Sequence, residues 1–209
     1  MKFPFLASFL LFSALLTYEI RKSRKIEENS MKNFWQKERD ANNVRKKDLD
    51  TLPYISIPFD HLPMEALCQN EEIKEIHNQL QNLSKHKIVN LTGISNTDLK
   101  LTYGTANITV LTEYVQNYTF VARSVYIWGK LLYDENLIPQ AKQVHEFGIN
   151  TGSDVSGNYK LLAKIYKLEG CKEKILELSK KASSLNSLMK NSIQNSLNDI
   201  YHSEESSDQ

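Results

Sequence analysis

Between Leu111 and Leu132 the apolar residues Leu111, Tyr114, Tyr118, Val121, Val125, Trp128 and Leu132 are separated alternately by three and four positions. Only a helix gathers such residues on one side, so the spacing predicts one long helix with a continuous buried stripe. A coiled coil has the same spacing and stays open as an alternative here. Ile73, Ile76, Leu80 and Leu83 keep a 3-4-3 spacing and predict a second amphipathic helix over residues 71–85. Residues 187–201, with Leu188, Ile193, Leu197 and Ile200 on one side and polar residues on the other, predict a terminal helix able to cap a helical stack. Pro53, Pro58 and Pro63 exclude a helix from residues 51–63 and leave an extended strip. Its Tyr54, Ile55, Ile57, Phe59 and Leu62 are costly to leave in water, so the strip is expected to lie along the helical domain. Leu99, Leu101 and Tyr103 alternate as a short strand would, with a loop containing helical turns as the equal alternative.

The N-terminal pattern is different in kind. Phe3 to Tyr18 is uncharged, and four of the five residues from Arg21 to Lys25 are basic. Counted to Ile20, a helix of roughly 27 Å results, just able to span a ~30 Å hydrocarbon core if the flanking cations snorkel. No small residues stand at −3 and −1 of a cleavage point, so retention is expected over removal as an export signal. Cations after the run outnumber those before it, which places the C-terminal domain on the cytoplasmic side of a single-pass membrane protein. Residues 1–22 are then a transmembrane anchor and residues 23–50 a charged, solvated helical stalk. The strip at 51–63 is a linker, and residues 64–106 combine the predicted helix with an irregular segment. Residues 107–202 form a helical domain, and residues 203–209 an acidic, disordered tail. The fold class expected for the whole chain is all-α.

A second helix of matching character follows the long stripe at an offset of 34 residues, the mark of a repeat rather than a coiled coil. Trp128-Gly129 corresponds to Leu162-Ala163, Leu132 to Tyr166, and Gly148 to Ala182. Val125, Trp128, Gly129, Leu132, Ala141 and Gly148 form one set of large and small residues, and Tyr159, Leu162, Ala163, Tyr166, Gly170 and Ala182 the other. In this arrangement the chain resembles the tetratricopeptide repeat family, with units starting at Ala122 and Ser156. The resemblance implies antiparallel helix hairpins closed by the C-terminal capping helix. It departs from the family at Asn136, where a turn glycine is expected, at Ile175, where a small residue is expected, and at His145 and Ser179, where aromatics are usual. Ile175, His145 and Ser179 are expected to splay the second hairpin.

The resemblance also implies a concave face. Its positions fall on Arg123, Tyr126, Lys130 and Tyr133 in the first unit, and on Gly157, Lys160, Lys164 and Lys167 in the second. Five cations and two tyrosines with no carboxylate suit an acidic or C-terminal peptide ligand. The competing reading is a solvated lysine-rich face, which lysines at i, i+4 and i+7 produce routinely.

Composition excludes more than it assigns. The balance of 26 basic and 25 acidic residues gives no global field for nucleic acid. Cys68 and Cys171 lack metal or redox spacing and read as free thiols. His61, His77, His86, His145 and His202 are scattered, with no pair at metal-ligand spacing. No phosphate loop or nucleophile elbow is present. Neither an enzyme nor a metal or cofactor is expected. Four Asn-x-Ser/Thr matches, at Asn82, Asn90, Asn107 and Asn117, decide nothing in a chain rich in asparagine. The expected function is a membrane-anchored adaptor binding a protein or acidic peptide. The alternative is a self-assembling structural protein, a homo-oligomer in which the stripes at 111–132 and 73–83 pair between chains. The tail's Glu204, Glu205 and Asp208 are opposite in sign to the lysine face, and its shortness favours docking into a neighbouring molecule.

Overall fold

The computed structural model describes residues 4–203, with side chains from Ser8 onward. Among these residues the chain is all-α, with helices α1 (Pro4–Asn42), α2 (Glu71–Leu83), α3 (Asn96–Tyr103), α4 (Ile108–Asp134), α5 (Ile138–Asn150), α6 (Ser156–Leu168), α7 (Lys172–Ser183) and α8 (Lys190–His202). The chain divides into two compact units, Met1–Lys47 with Ser95–Ile108, and Asp48–Ile94 with Thr109–Gln209.

In the first unit α1 runs without a break through the expected anchor and most of the expected stalk. Among the described residues no helix is long and apolar enough to cross a membrane. The uncharged part of α1 runs over residues 4–18, fifteen residues or about 22 Å against a ~30 Å core. Glu19, Arg21, Lys22, Arg24 and Lys25 then follow on the same helix. The expectation of a single-pass protein with a cytoplasmic C-terminal domain is therefore overturned, since its sidedness rested on flanking a span.

The end of the expected stalk is not simply solvated. Lys37 pairs with Asp98 of α3 at 2.6 Å, and Glu38 takes the Lys100 ammonium and the Thr97 hydroxyl. Thr105 Oγ1 donates to the Ala41 carbonyl, and the Asn107 side-chain amide to the carbonyls of Lys47 and Tyr103. The strand alternative for Leu99–Tyr103 is excluded, because these residues lie in α3. Ser95 accepts the Asp98 N–H and donates its hydroxyl to the Asp98 carboxylate, so a capping contact starts a helix where alternation alone allowed a strand.

The second unit is built on the periodic helices. Asn70 caps α2 by accepting the N–H groups of Glu72 and Ile73. Ile73, Ile76 and Leu80 of α2 are buried in one cluster with Tyr118, Val121, Val125, Trp128 and Leu132 of α4. The proline-containing strip lies on this cluster as expected, with Leu52, Ile57 and Leu62 buried and a single 3-10 turn at Phe59–His61. A second cluster joins Tyr159, Leu162, Ala163 and Tyr166 of α6 to Ile175, Leu178 and Ala182 of α7 and to Ile193 and Leu197 of α8. Ile175 is accommodated there at 1% exposure. Leu188, expected on the capping face, is fully exposed and precedes α8.

The α4/α5 and α6/α7 turns are the same structure at an offset of 34 residues. Asn136 and Gly170 both adopt left-handed backbone, φ 59° and 72°. The next residues, Leu137 and Cys171, have φ/ψ of −84°/62° and −92°/60°. The Leu137 N–H donates to the Leu132 carbonyl at 2.9 Å, and the Cys171 N–H to the Tyr166 carbonyl at 2.8 Å. Glycine suits this conformation for want of a Cβ, and asparagine is among the few other residues that tolerate it.

Candidate functional site

The outward side of α4 carries Phe120, Arg123, Ile127 and Lys130 at helical spacing, all exposed, with Tyr126 and Tyr133 half-buried beside them. Phe120 is 60% exposed, which is unusual for a ring on a helix whose other face is fully packed. Helix α6 lies against α4 at Gly157, where an added Cβ would come within 2.1 Å of the Tyr126 ring. The missing side chain lets the α6 backbone close onto the tyrosine. On α6, Lys160 and Lys164 are exposed and Lys167 half-buried; this helix has three lysines and no carboxylate.

The seven expected partner-binding residues do not stand alike. Lys130 is paired with Asp134 at 2.5 Å. Lys167 reaches α8, donating to the Ile200 carbonyl at 3.1 Å, to Ser203 Oγ at 2.7 Å and to the Ser203 carbonyl. There it completes the end of α8, where carbonyls lack intrahelical donors and a cation is favoured. Tyr133 packs on the first core cluster and presents only part of its ring. Arg123, Lys160 and Lys164 have no ion-pair or hydrogen-bond partner among the described residues, and with Tyr126 they make up the available set. Phe120 and Ile127 are the residues that sequence reasoning missed. Their signal was present, two large apolar side chains on α4 lying off the 3-4 stripe.

The chain matches no family model, no curated protein and no solved structure.

His145 is fully buried and shares its Nδ1 with Asn158 Oδ1 at 2.8 Å, while its ring fills the space over Gly129. Burial holds its imidazole below the ordinary histidine range, partly offset by the Asn158 bond. His77 stands edge-on to Trp128 with ring centroids 4.6 Å apart, and burial lowers it as well. No group of His, Cys, Asp and Glu able to hold a metal occurs among the described residues. Cys68 and Cys171 are free thiols. Of the Asn-x-Ser/Thr asparagines, Asn90, Asn107 and Asn117 donate their side-chain amides to backbone carbonyls, so each is part of the fold.

Proposed function

We propose that the chain is a tetratricopeptide-like binding module whose α4/α6 face takes an acidic protein segment. The observation that supports this reading is that Arg123 on α4 and Lys160 and Lys164 on α6 are exposed and unpaired among the described residues, that α4 also exposes Phe120 and Ile127, and that the two helices meet at Gly157 and Tyr126. A merely solvated basic face needs no apolar anchors, whereas a segment bearing both carboxylates and apolar side chains uses both features. Tyr126, held by Gly157, adds a rigid amphipathic surface between the two helices. Exposed ion pairs contribute about 0–1 kcal/mol each, so loss of two weakens binding by up to roughly thirty-fold.

The test is a titration of the full chain with a fluorescein-labelled peptide combining glutamates with a pair of phenylalanines, against its glutamine counterpart. The acidic form binds more tightly at low ionic strength, and Phe120→Ala weakens both forms. Equal binding of the two forms would contradict the reading.

A second reading is favoured by one observation. The long α1 exposes Phe9, Leu11, Phe12, Leu15, Leu16 and Trp35, among others. The stripes first suspected of pairing between chains are buried within one chain, so a self-assembling protein would associate through α1 instead. Light scattering of the full chain and of Leu11→Glu/Leu15→Glu decides it: an unchanged mass excludes assembly through this part of α1.

A further inference from the structure

We infer that a second site on this chain takes the side chain of an arginine presented, with apolar neighbours, by a partner polypeptide. The site is a cleft of about 620 Å³ in the second unit, formed by residues 59–66 and the first turn of α5. Phe59, Leu62 and Met64 give it apolar walls, Asp60 and Glu65 bring two carboxylates, and Gln140 of α5 brings an amide. The inference does not rest on the reading of the α4/α6 face, and the charge of the cleft is of the opposite sign.

The local chain forms this cleft without a ligand. Pro58 and Pro63 fix the backbone on either side of the 3-10 turn at Phe59–His61. The Met64 N–H donates to the Leu62 carbonyl at 2.8 Å, and the Ala66 N–H to the Pro63 carbonyl at 3.1 Å. Leu67 then takes left-handed backbone, φ 52°, which is costly for a residue with a Cβ. Its side chain packs on the first core cluster, as those of Phe59, Met64 and Ala66 do, and that burial holds the turn in place.

The polar groups of the cleft point to one kind of ligand. Among the described residues no ion pair or hydrogen bond engages the carboxylate of Asp60 or Glu65, and no cationic side chain lines the cleft. The Gln140 amide oxygen is buried without a hydrogen-bond partner. Such an acceptor carries an uncompensated desolvation cost, which a ligand N–H reaching it recovers. Two carboxylates and an amide oxygen suit a guanidinium, whose five N–H donors form a planar fork and whose charge is weakly hydrated. Its alkyl stem packs on Phe59 and Met64. At about 620 Å³ the cleft is in the range of those that enclose a whole small ligand, so apolar residues flanking the arginine enter with it.

The test uses the full chain, labelled with carbon-13 at its methionine methyl groups. It is titrated with an end-capped peptide carrying one arginine between leucines, and with the same peptide carrying citrulline, which keeps the shape and loses the charge. Met64→Leu identifies the Met64 methyl signal. The arginine peptide is expected to shift that signal and to bind about three- to thirtyfold more tightly than the citrulline peptide at low ionic strength. Asp60 and Glu65 are exposed, so Asp60→Asn/Glu65→Gln is expected to remove the difference at an unchanged melting temperature. Gln140→Met is expected to weaken both peptides. Equal affinity of the two peptides, a difference that survives Asp60→Asn/Glu65→Gln, or an unshifted Met64 signal overturns the inference. A Met64 shift with agmatine and none with the arginine peptide overturns the polypeptide as the source of the cation.

Discussion

His145 shows how a residue that breaks a pattern is absorbed. It stands where an aromatic was expected, and its ring occupies that space, over Gly129 and against Asn158. A Cβ at 129 would lie 2.6 Å from the imidazole, so Gly129→Leu overpacks the hairpin and costs about 1–3 kcal/mol in urea unfolding. An unchanged midpoint would place the ring elsewhere. The two buried histidines also set a pH dependence. Burial lowers both His145 and His77, so each binds its proton more readily in the unfolded chain than in the folded one. Their stability is complete above the ordinary histidine value of 6.5 and is lost as pH falls below it toward the depressed folded values. The slope is at most about 1.4 kcal/mol per pH unit for each histidine. Glu38 and Asp98, held low by hydrogen bonds to Lys100 and Lys37, titrate well below this window. Unfolding midpoints should fall between about pH 7.5 and about pH 5.5, and His145→Gln should flatten the decline; a flat wild-type profile would contradict the burial argument.

At the scale of elements, the repeated turn makes its own prediction. Gly170 has φ 72° with open space around a would-be Cβ, so Gly170→Ala costs about 1 kcal/mol through backbone strain alone. Asn136→Gly, at the equivalent place, should not destabilise; thermal melts of both variants check the pair, and a neutral Gly170→Ala would break the equivalence. The helices of the second unit were legible because each buries one stripe of a 3-4 pattern, as Val125, Trp128 and Leu132 do. The helix α3 was not, since eight residues are too few to separate a period of two from 3.6, and the deciding signal was the Ser95–Asp98 contact at its start. The apolar start of α1 was read for length and for its flanking charges. Its described uncharged part is too short to span, and Lys37, Glu38 and Ala41 at its other end are engaged with residues 97–105.

For the whole molecule, the near-equal charges concealed a local separation of sign. Tyr126, Lys160 and Lys164 were read as one face from the 34-residue offset between α4 and α6. Lys130 was legible as an engaged residue, since Asp134 follows it at i+4 on the same helix, but Lys167 was not, because Ser203 reaches it only through the packing of α8. Phe120 and Ile127 were passed over although their place off the filled 3-4 stripe of α4 already set them on its outer side. The central claim is that Lys160 and Lys164 recognise an acidic ligand and do not support the fold. The most direct measurement is the affinity of the labelled acidic peptide for wild type and for Lys160→Gln/Lys164→Gln, with a thermal melt of each. The account predicts affinity lower by up to roughly thirty-fold at low ionic strength, at an unchanged melting temperature. Equal affinity for the two chains would contradict it and leave the lysines as a solvated surface.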